Sequence, residues 1–134
     1  MVMPRPRETF KAWRSGLEEA VANDLTSRGV RFVFEGRKVK YTPPLKEHTY
    51  TPDFELPNGV IIETKGYFTS EDRKKMRWVK EQNPALDIRM LFGNARNRIN
   101  KGSNTTYADW CEKYGYRWAD KRVPQEWIDE PPRD

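Results

Sequence analysis

Asp53, Glu63 and Lys65 are the residues of this chain best equipped to do chemistry. Pro52 precedes Asp53, nine residues separate Asp53 from Glu63, and Glu63-Thr64-Lys65 closes the set. Two carboxylates can hold a divalent cation, and a lysine beside them can orient a water or offset charge on a phosphate. That is a minimal set for pressing a metal ion against a phosphodiester. Glu63 and Lys65 lie two apart on an apolar strand, so they share a face and stand roughly 6.6 Å apart along it. Pro57-Asn58-Gly59 fits a three-residue loop, a type I turn followed by Gly in the left-handed region. This loop pairs Leu56 with Val60 and sets Asp53 opposite Glu63, with Cβ atoms roughly 5 Å apart. A two-residue Asn-Gly turn would shift the register by one. Opposed carboxylates repel unless something positive lies between them, and Mg²⁺ is the natural candidate. The alternative is a surface salt-bridge cluster of the same three residues. The apolar flank Val60-Ile61-Ile62 favours the metal, because a buried charge must be paired or metal-bound.

The elements that position these residues can be read in outline. Residues 1–12 are rich in Pro, Arg and Lys and form a basic arm. A first helix runs from Ser15 to before Gly29, with Leu17, Ala20, Val21 and Leu25 on one face. Ser15-Gly16-Leu17-Glu18 matches a capping box, so spacing alone assigns Glu18 to the helix cap. Val30 to Phe34 reads as a strand, and Arg37 to Tyr41 as its continuation or partner. Pro43-Pro44 makes the segment 42–47 an extended, stiff connector that invites exchange of the preceding segment with a partner chain. Tyr50 to Leu56 and Val60 to Lys65 form the hairpin. A second helix spans Ser70 to Gln82, capped by Thr69-Ser70-Glu71-Asp72 and stopped by Asn83-Pro84. A strand at Leu86 to Phe92, a polar loop from Gly93 to Asn104 and a helix from Thr106 to Tyr114 follow. A strand at Tyr116 to Ala119, a helical turn at Pro124 to Ile128 and a loose tail from Asp129 to Asp134 complete the chain.

With 134 residues the chain is one domain. Its net charge of +5, with 34% charged residues, favours an anionic partner. Positive charge concentrates on the second helix (Arg73, Lys74, Lys75, Arg77) and the loop beyond the next strand (Arg96, Arg98, Lys101). A face this uniform in sign points to phosphate contact, which sets affinity rather than base sequence. The single cysteine, Cys111, excludes an internal disulfide framework and reads as a small apolar helix residue. His48 is the only histidine, which leaves little support for a histidine-based zinc site or a Ser-His-Asp triad. Trp78, Trp110, Trp118 and Trp127 read as packing residues. No run has membrane-spanning length or signal-peptide character, and the expectation is a soluble cytoplasmic protein.

Several runs together resemble phage endonuclease I, the Holliday-junction resolvase family of podophages. They are Trp13-Arg14-Ser15-Gly16-Leu17-Glu18, His48-Thr49-Tyr50-Thr51-Pro52-Asp53-Phe54, Leu56-Pro57-Asn58-Gly59, Glu63-Thr64-Lys65-Gly66, Leu86-Asp87-Ile88-Arg89, Cys111-Glu112-Lys113 and Ala119-Asp120-Lys121. The likeness covers about residues 13 to 131 and includes stretches with no catalytic residue. It implies an α/β, restriction-endonuclease-like fold, a mixed central sheet flanked by helices, in a domain-swapped homodimer. About residues 13–41 would be exchanged, 42–48 would be the bridge, 49–128 the nuclease body and 129–134 the tail. The resemblance makes Asp53 and Glu63 metal ligands with the Thr64 carbonyl, and Lys65 the catalytic lysine. It moves Glu18 from cap to catalytic carboxylate, supplied by the partner chain. It implies two Mg²⁺ ions per site, with Mn²⁺ as a substitute, and paired cuts in four-way and other branched DNA that leave 5′-phosphate and 3′-hydroxyl ends. Arg14 joins the helix and loop cations as a DNA contact. The family's basic C-terminal extension has no counterpart in this sequence, which bears on DNA affinity rather than chemistry. A duplex nuclease on the same fold, sequence-specific or nonspecific, and a non-catalytic junction-binding module are the alternatives.

Overall fold

A computed structural model describes residues 15–41 and 48–133. The basic arm, Trp13, Arg14, the Pro43-Pro44 connector and Asp134 lie outside the described residues. Element α1 (Gly16–Ser27) is followed by β1 (Val33–Phe34), β2 (Val39–Tyr41), β3 (His48–Tyr50), β4 (Phe54–Glu55) and β5 (Ile61–Lys65). Then come α2 (Ser70–Gln82), β6 (Ile88–Phe92), α3 (Tyr107–Tyr114), β7 (Arg117–Asp120) and α4 (Gln125–Asp129). A five-stranded mixed sheet runs in the order β1-β4-β5-β6-β7, and β2 pairs with β3 in a separate two-stranded sheet.

The hairpin register follows from its turn. Gly59 sits at φ 92°, a conformation that favours glycine, and the Leu56 amide donates to the Val60 carbonyl at 2.9 Å. Phe54 faces Ile62 and Glu55 faces Ile61, the register that carries Asp53 opposite Glu63. β5 then pairs in parallel with β6, and β6 with β7. Parallel neighbours need crossovers, and α2 and α3 supply them.

Strand alternation divides the core into two layers. Ile61, Ile88, Met90 and Phe92 pack under α2 and α3 with Tyr50, Phe68, Met76 and Trp110. Ile62 and Leu91 face the other way, with Val21, Leu25, Phe54, Leu56 and Trp127. Trp110 and Trp127 are buried, Trp78 and Trp118 pack against the first layer, and Cys111 is buried on α3 with its thiol pushed up to about 12 by desolvation. The four tryptophans and the cysteine are therefore packing residues.

Four expectations need correction. The buried face of α1 carries Glu18, Val21, Ala22 and Leu25, while Ala20 is exposed. Val21 and Leu25 are buried as expected and Leu17 packs at the edge of the same layer, but the stripe is completed by Glu18 and Ala22, which turns Glu18 inward. The segment 37–41 neither continues nor pairs with β1. Glu35 adopts φ 52°, the chain turns there, and β1 joins β4 while β2 joins β3. Tyr50 to Leu56 is not one strand but two short ones in different sheets. Pro52, which has no N–H to donate to a ladder, lies at the break. Finally, the end of the chain is tied down through residue 133. The Asn58 amide donates to the Trp127 and Glu130 carbonyls at 2.8 and 3.0 Å. Arg89, with 0% of its side chain exposed, bridges Asp87 and Glu130, and Arg133 also pairs with Asp87.

Candidate active site

Asp53 sits where the chain passes from the small sheet to the large one. Its backbone carbonyl accepts the Glu35 amide at 2.9 Å. Its Oδ2 accepts both the Thr64 amide, at 2.9 Å, and the Thr64 hydroxyl, at 2.8 Å. Two donors from the neighbouring strand fix one carboxylate oxygen and orient the whole group. Glu63 and Lys65 lie on the face of β5 turned toward α2, as alternation requires. The Tyr50 hydroxyl donates to Glu63 Oε1 at 2.7 Å, and Lys65 Nζ lies 3.7 Å from Glu63 Oε2.

The electrostatics of this cluster are strained in one direction. Glu63 is 5% exposed and Asp53 3%. Desolvation, reinforced by the charge of Asp53, pushes Glu63 up to about 8, against the opposing pull of Lys65, the Tyr50 hydrogen bond and Lys75. Burial alone would lower the Lys65 pKa. Glu63 and Asp72 outweigh it, and the ammonium is held more firmly than in water. Beside a second carboxylate, a group this reluctant to ionise marks a place where a bound cation would relieve the repulsion.

Glu18 reaches the same place from α1. The Ser15 hydroxyl accepts the Glu18 amide at 3.1 Å, so the cap forms through the backbone, while the Glu18 carboxylate clusters with Asp53. One carboxylate oxygen from each of Glu18, Glu35 and Asp53 lies within 4.8 Å of the others. These oxygens fit a hard divalent cation, which prefers carboxylates and carbonyls. A cavity of about 370 Å³ opens onto Glu18, Asp53, Glu63, Thr64, Lys65, Gly66 and Lys75.

The structure thus gathers Glu18, Asp53, Glu63, Thr64 and Lys65 around one opening. Of the cations expected to contact DNA, Lys75 lines the opening, with Nζ 5.3 Å from the centre of the Tyr50 ring. Arg73 Nη1 donates to the Phe68 and Ile99 carbonyls at 2.7 and 3.1 Å and so ties α2 to the 93–106 loop. Lys74 and Arg77 are exposed on α2, the latter over the Tyr114 ring, and Arg96, Arg98 and Lys101 are exposed on the loop. Arg14 lies outside the described residues.

Three contributors escape a reading of the sequence alone. Tyr50 is a strand aromatic by pattern, and only packing brings its hydroxyl to Glu63. Glu35 carries no motif, and its left-handed backbone could not be foreseen from a polar turn. Asp72 does cap α2, since its Oδ2 accepts the Thr69 amide at 3.1 Å, but its other oxygen accepts from Lys65 at 3.3 Å. The capping motif hid that second role.

Comparison with known proteins fits this geometry. The chain is 51% identical over 123 residues to Endonuclease I of Escherichia phage T7, which covers 92% of this chain and 83% of that protein. It is 48% identical over 124 residues to Endodeoxyribonuclease 1 of Enterobacteria phage T3, with 92% and 82% coverage. The family pattern described as Phage endonuclease I matches residues 3–134. With a buried carboxylate pair, an adjoining lysine and relatives this similar along nearly its whole length, the chain belongs to the phage endonuclease I family.

Proposed function

We propose that this protein is a Mg²⁺-dependent, structure-selective DNA endonuclease that resolves four-way junctions and cuts other branched DNA in pairs. The observation that carries the reading is the burial of Asp53 and Glu63 at one opening, with Lys65 Nζ 3.7 Å from Glu63 and a basic helix alongside. A relative that matches 92% of this chain is named as an endodeoxyribonuclease, which supports DNA cleavage here.

Asp53, Glu63, the Thr64 carbonyl and Glu18 would hold two ions, Mg²⁺ or Mn²⁺. When bound, the ions stabilise charge on the attacking and leaving oxygens of a phosphodiester. Thr64 holds Asp53 in place, and Tyr50 holds Glu63. Lys65, steadied by Asp72, orients the attacking water and offsets charge on the phosphorane. The water oxygen bonds to phosphorus and releases one proton to solvent, the bond from phosphorus to the 3′ oxygen breaks, and that oxygen takes up a proton from solvent. The products are a 5′-phosphate and a 3′-hydroxyl. Lys74, Lys75, Arg77, Arg96, Arg98 and Lys101 grip backbones, with Arg73 bracing the loop that carries the last three.

The five-stranded mixed sheet flanked by helices supports a restriction-endonuclease-like fold. We further propose a homodimer in which residues 13–41 are exchanged, so that Glu18 reaches the partner's Asp53. Exchange preserves the contacts of a closed chain, and the packing of α1 within one chain is compatible with it. Among the described residues no helix is long and apolar enough to cross a membrane, and action in the host-cell cytoplasm fits the phage relatives.

The deciding experiment incubates the protein with a labelled immobile four-way junction and a matched linear duplex, in Mg²⁺ and in EDTA. Paired cuts near the branch, dependent on Mg²⁺ and absent from the duplex, are expected. Equal cutting of the duplex would replace this reading with a general nuclease, and binding without cutting would replace it with a binding module.

A further inference from the structure

We infer that Tyr67 is a base-stacking platform at a second DNA subsite, which takes the nucleotide next to the scissile phosphate where the helical stack is interrupted. The inference rests on the function proposed above and names the part of the substrate that this neighbouring surface reads.

Tyr67 is 82% exposed, the highest value among the described large apolar side chains that lie on the surface. Isolated exposed aromatics are ordinary, and exposure alone says little. Position sets Tyr67 apart. It follows Lys65 and Gly66, which line the candidate active site, and it lines a separate groove of about 510 Å³ together with Arg98 and Lys101. Strand β5 ends at Lys65, and the bend at residues 66–67 carries the chain from the candidate active site to this basic groove. Gly66 is exposed, and a Cβ there would meet nothing within 4 Å, so nothing beyond its chain neighbours crowds the backbone between Lys65 and Tyr67.

The platform is braced although its ring is not. Phe68 is buried, with its ring edge-on to Trp110 at 4.8 Å and its amide donating to the Tyr107 hydroxyl at 3.3 Å. Arg73 holds both walls of the groove by donating to the Phe68 and Ile99 carbonyls. Among the described residues the Tyr67 ring stacks on no other ring. A rigidly mounted aromatic with a free face, beside two exposed cations, matches the chemistry of a single-stranded nucleotide. The ring takes the base, and Arg98 and Lys101 take the adjoining phosphates. A continuous duplex hides its base faces, whereas a branch exposes one. The subsite therefore favours branched DNA over linear DNA.

The test uses the full chain and a four-way junction carrying 2-aminopurine at the nucleotides flanking the cut. Binding is followed in EDTA and cleavage in Mg²⁺. Wild-type protein and Tyr67→Phe should change the 2-aminopurine fluorescence in the same way. Tyr67→Ala should lose that change and bind the junction about tenfold more weakly, with affinity for linear duplex unchanged. Because Tyr67 is exposed, the variant should fold normally, which its melting curve checks. Wild-type cleavage reports the proposed function separately. If wild type and Tyr67→Ala cut and bind the junction alike with the same fluorescence, the stacking inference is overturned while the function stands. Equal loss of junction and duplex binding would also overturn it, in favour of a plain backbone contact. If wild type neither binds nor cuts the junction, the proposed function falls and the subsite with it.

Discussion

Glu63 shows how far a local environment can push one side chain. Its ordinary carboxyl pKa of 4.5 rises to about 8 through desolvation and the nearby charge of Asp53. Between these values the folded protein holds a proton that the unfolded chain has released. Linkage then makes stability fall as pH rises through this window, with no effect of this group below it and the full penalty above it. A divalent cation held as proposed would compete with that proton. Metal-free protein should melt at a lower temperature at pH 8.5 than at pH 6, and Mg²⁺ should raise the melting temperature more at the higher pH. In Glu63→Gln both differences should shrink to near zero, and thermal melts at the two pH values check this. In the proposed mechanism Lys65 acts on the reaction rather than on affinity, so Lys65→Ala should lower single-turnover cleavage by about 10² or more. Junction affinity should stay within a few-fold. Asp53→Ala and Glu63→Ala should abolish cleavage and leave gel-shift binding intact. Binding lost in step with cleavage would mean the variants are misfolded.

At the scale of elements, the short hairpin and the end of the chain form one mechanical unit. Asn58 in the turn between β4 and β5 donates to carbonyls of α4 and the residue beyond it, while Arg89 at the start of β6 bridges Asp87 and Glu130. The guanidinium also lies 5.3 Å from the centre of the Trp127 ring. The hydrogen bonds from Arg89 hold the Glu130 carboxyl down to about 2. A depressed carboxylate pKa contributes stability that is present above 4.5 and is lost as pH falls toward 2. Removing the central cation leaves two partly buried carboxylates facing each other, and such a break costs about 3 kcal/mol. Arg89→Ala should therefore lose about that much in urea unfolding at pH 7, and less at pH 3. An equal loss at both pH values would mean that packing on Trp127, rather than charge, carries the effect.

For the whole molecule, the proposed exchange would have one chain supply Glu18 to the other chain's site. If the segment 13–41 is exchanged, a heterodimer of Glu18→Ala and Asp53→Ala subunits has one intact site and one doubly damaged site. Each variant alone should be inactive. The mixture should regain nicking of a cruciform plasmid without regaining paired cuts. No recovery after verified subunit exchange would mean that each site is built within one chain.

Short-range physics made part of this legible in the residues themselves. The limits of α2 follow from Thr69 at one end and Asn83-Pro84 at the other, and the β4–β5 register follows from Pro57-Asn58-Gly59. Asp53, Glu63, Thr64 and Lys65 come together through that turn alone, because alternation and register act over a dozen residues. Glu18 joined them in the sequence only through family resemblance, since its spacing equally describes a cap. Tertiary structure decided the rest. The left-handed turn at Glu35, the switch of sheets at Pro52, the reach of Tyr50 to Glu63, the second role of Asp72 and the Arg89 clamp all depend on how separate elements pack together. No local pattern encodes those contacts. They exist because two apolar layers must close on either side of one sheet, and only that closure determines which polar side chains meet at its edge.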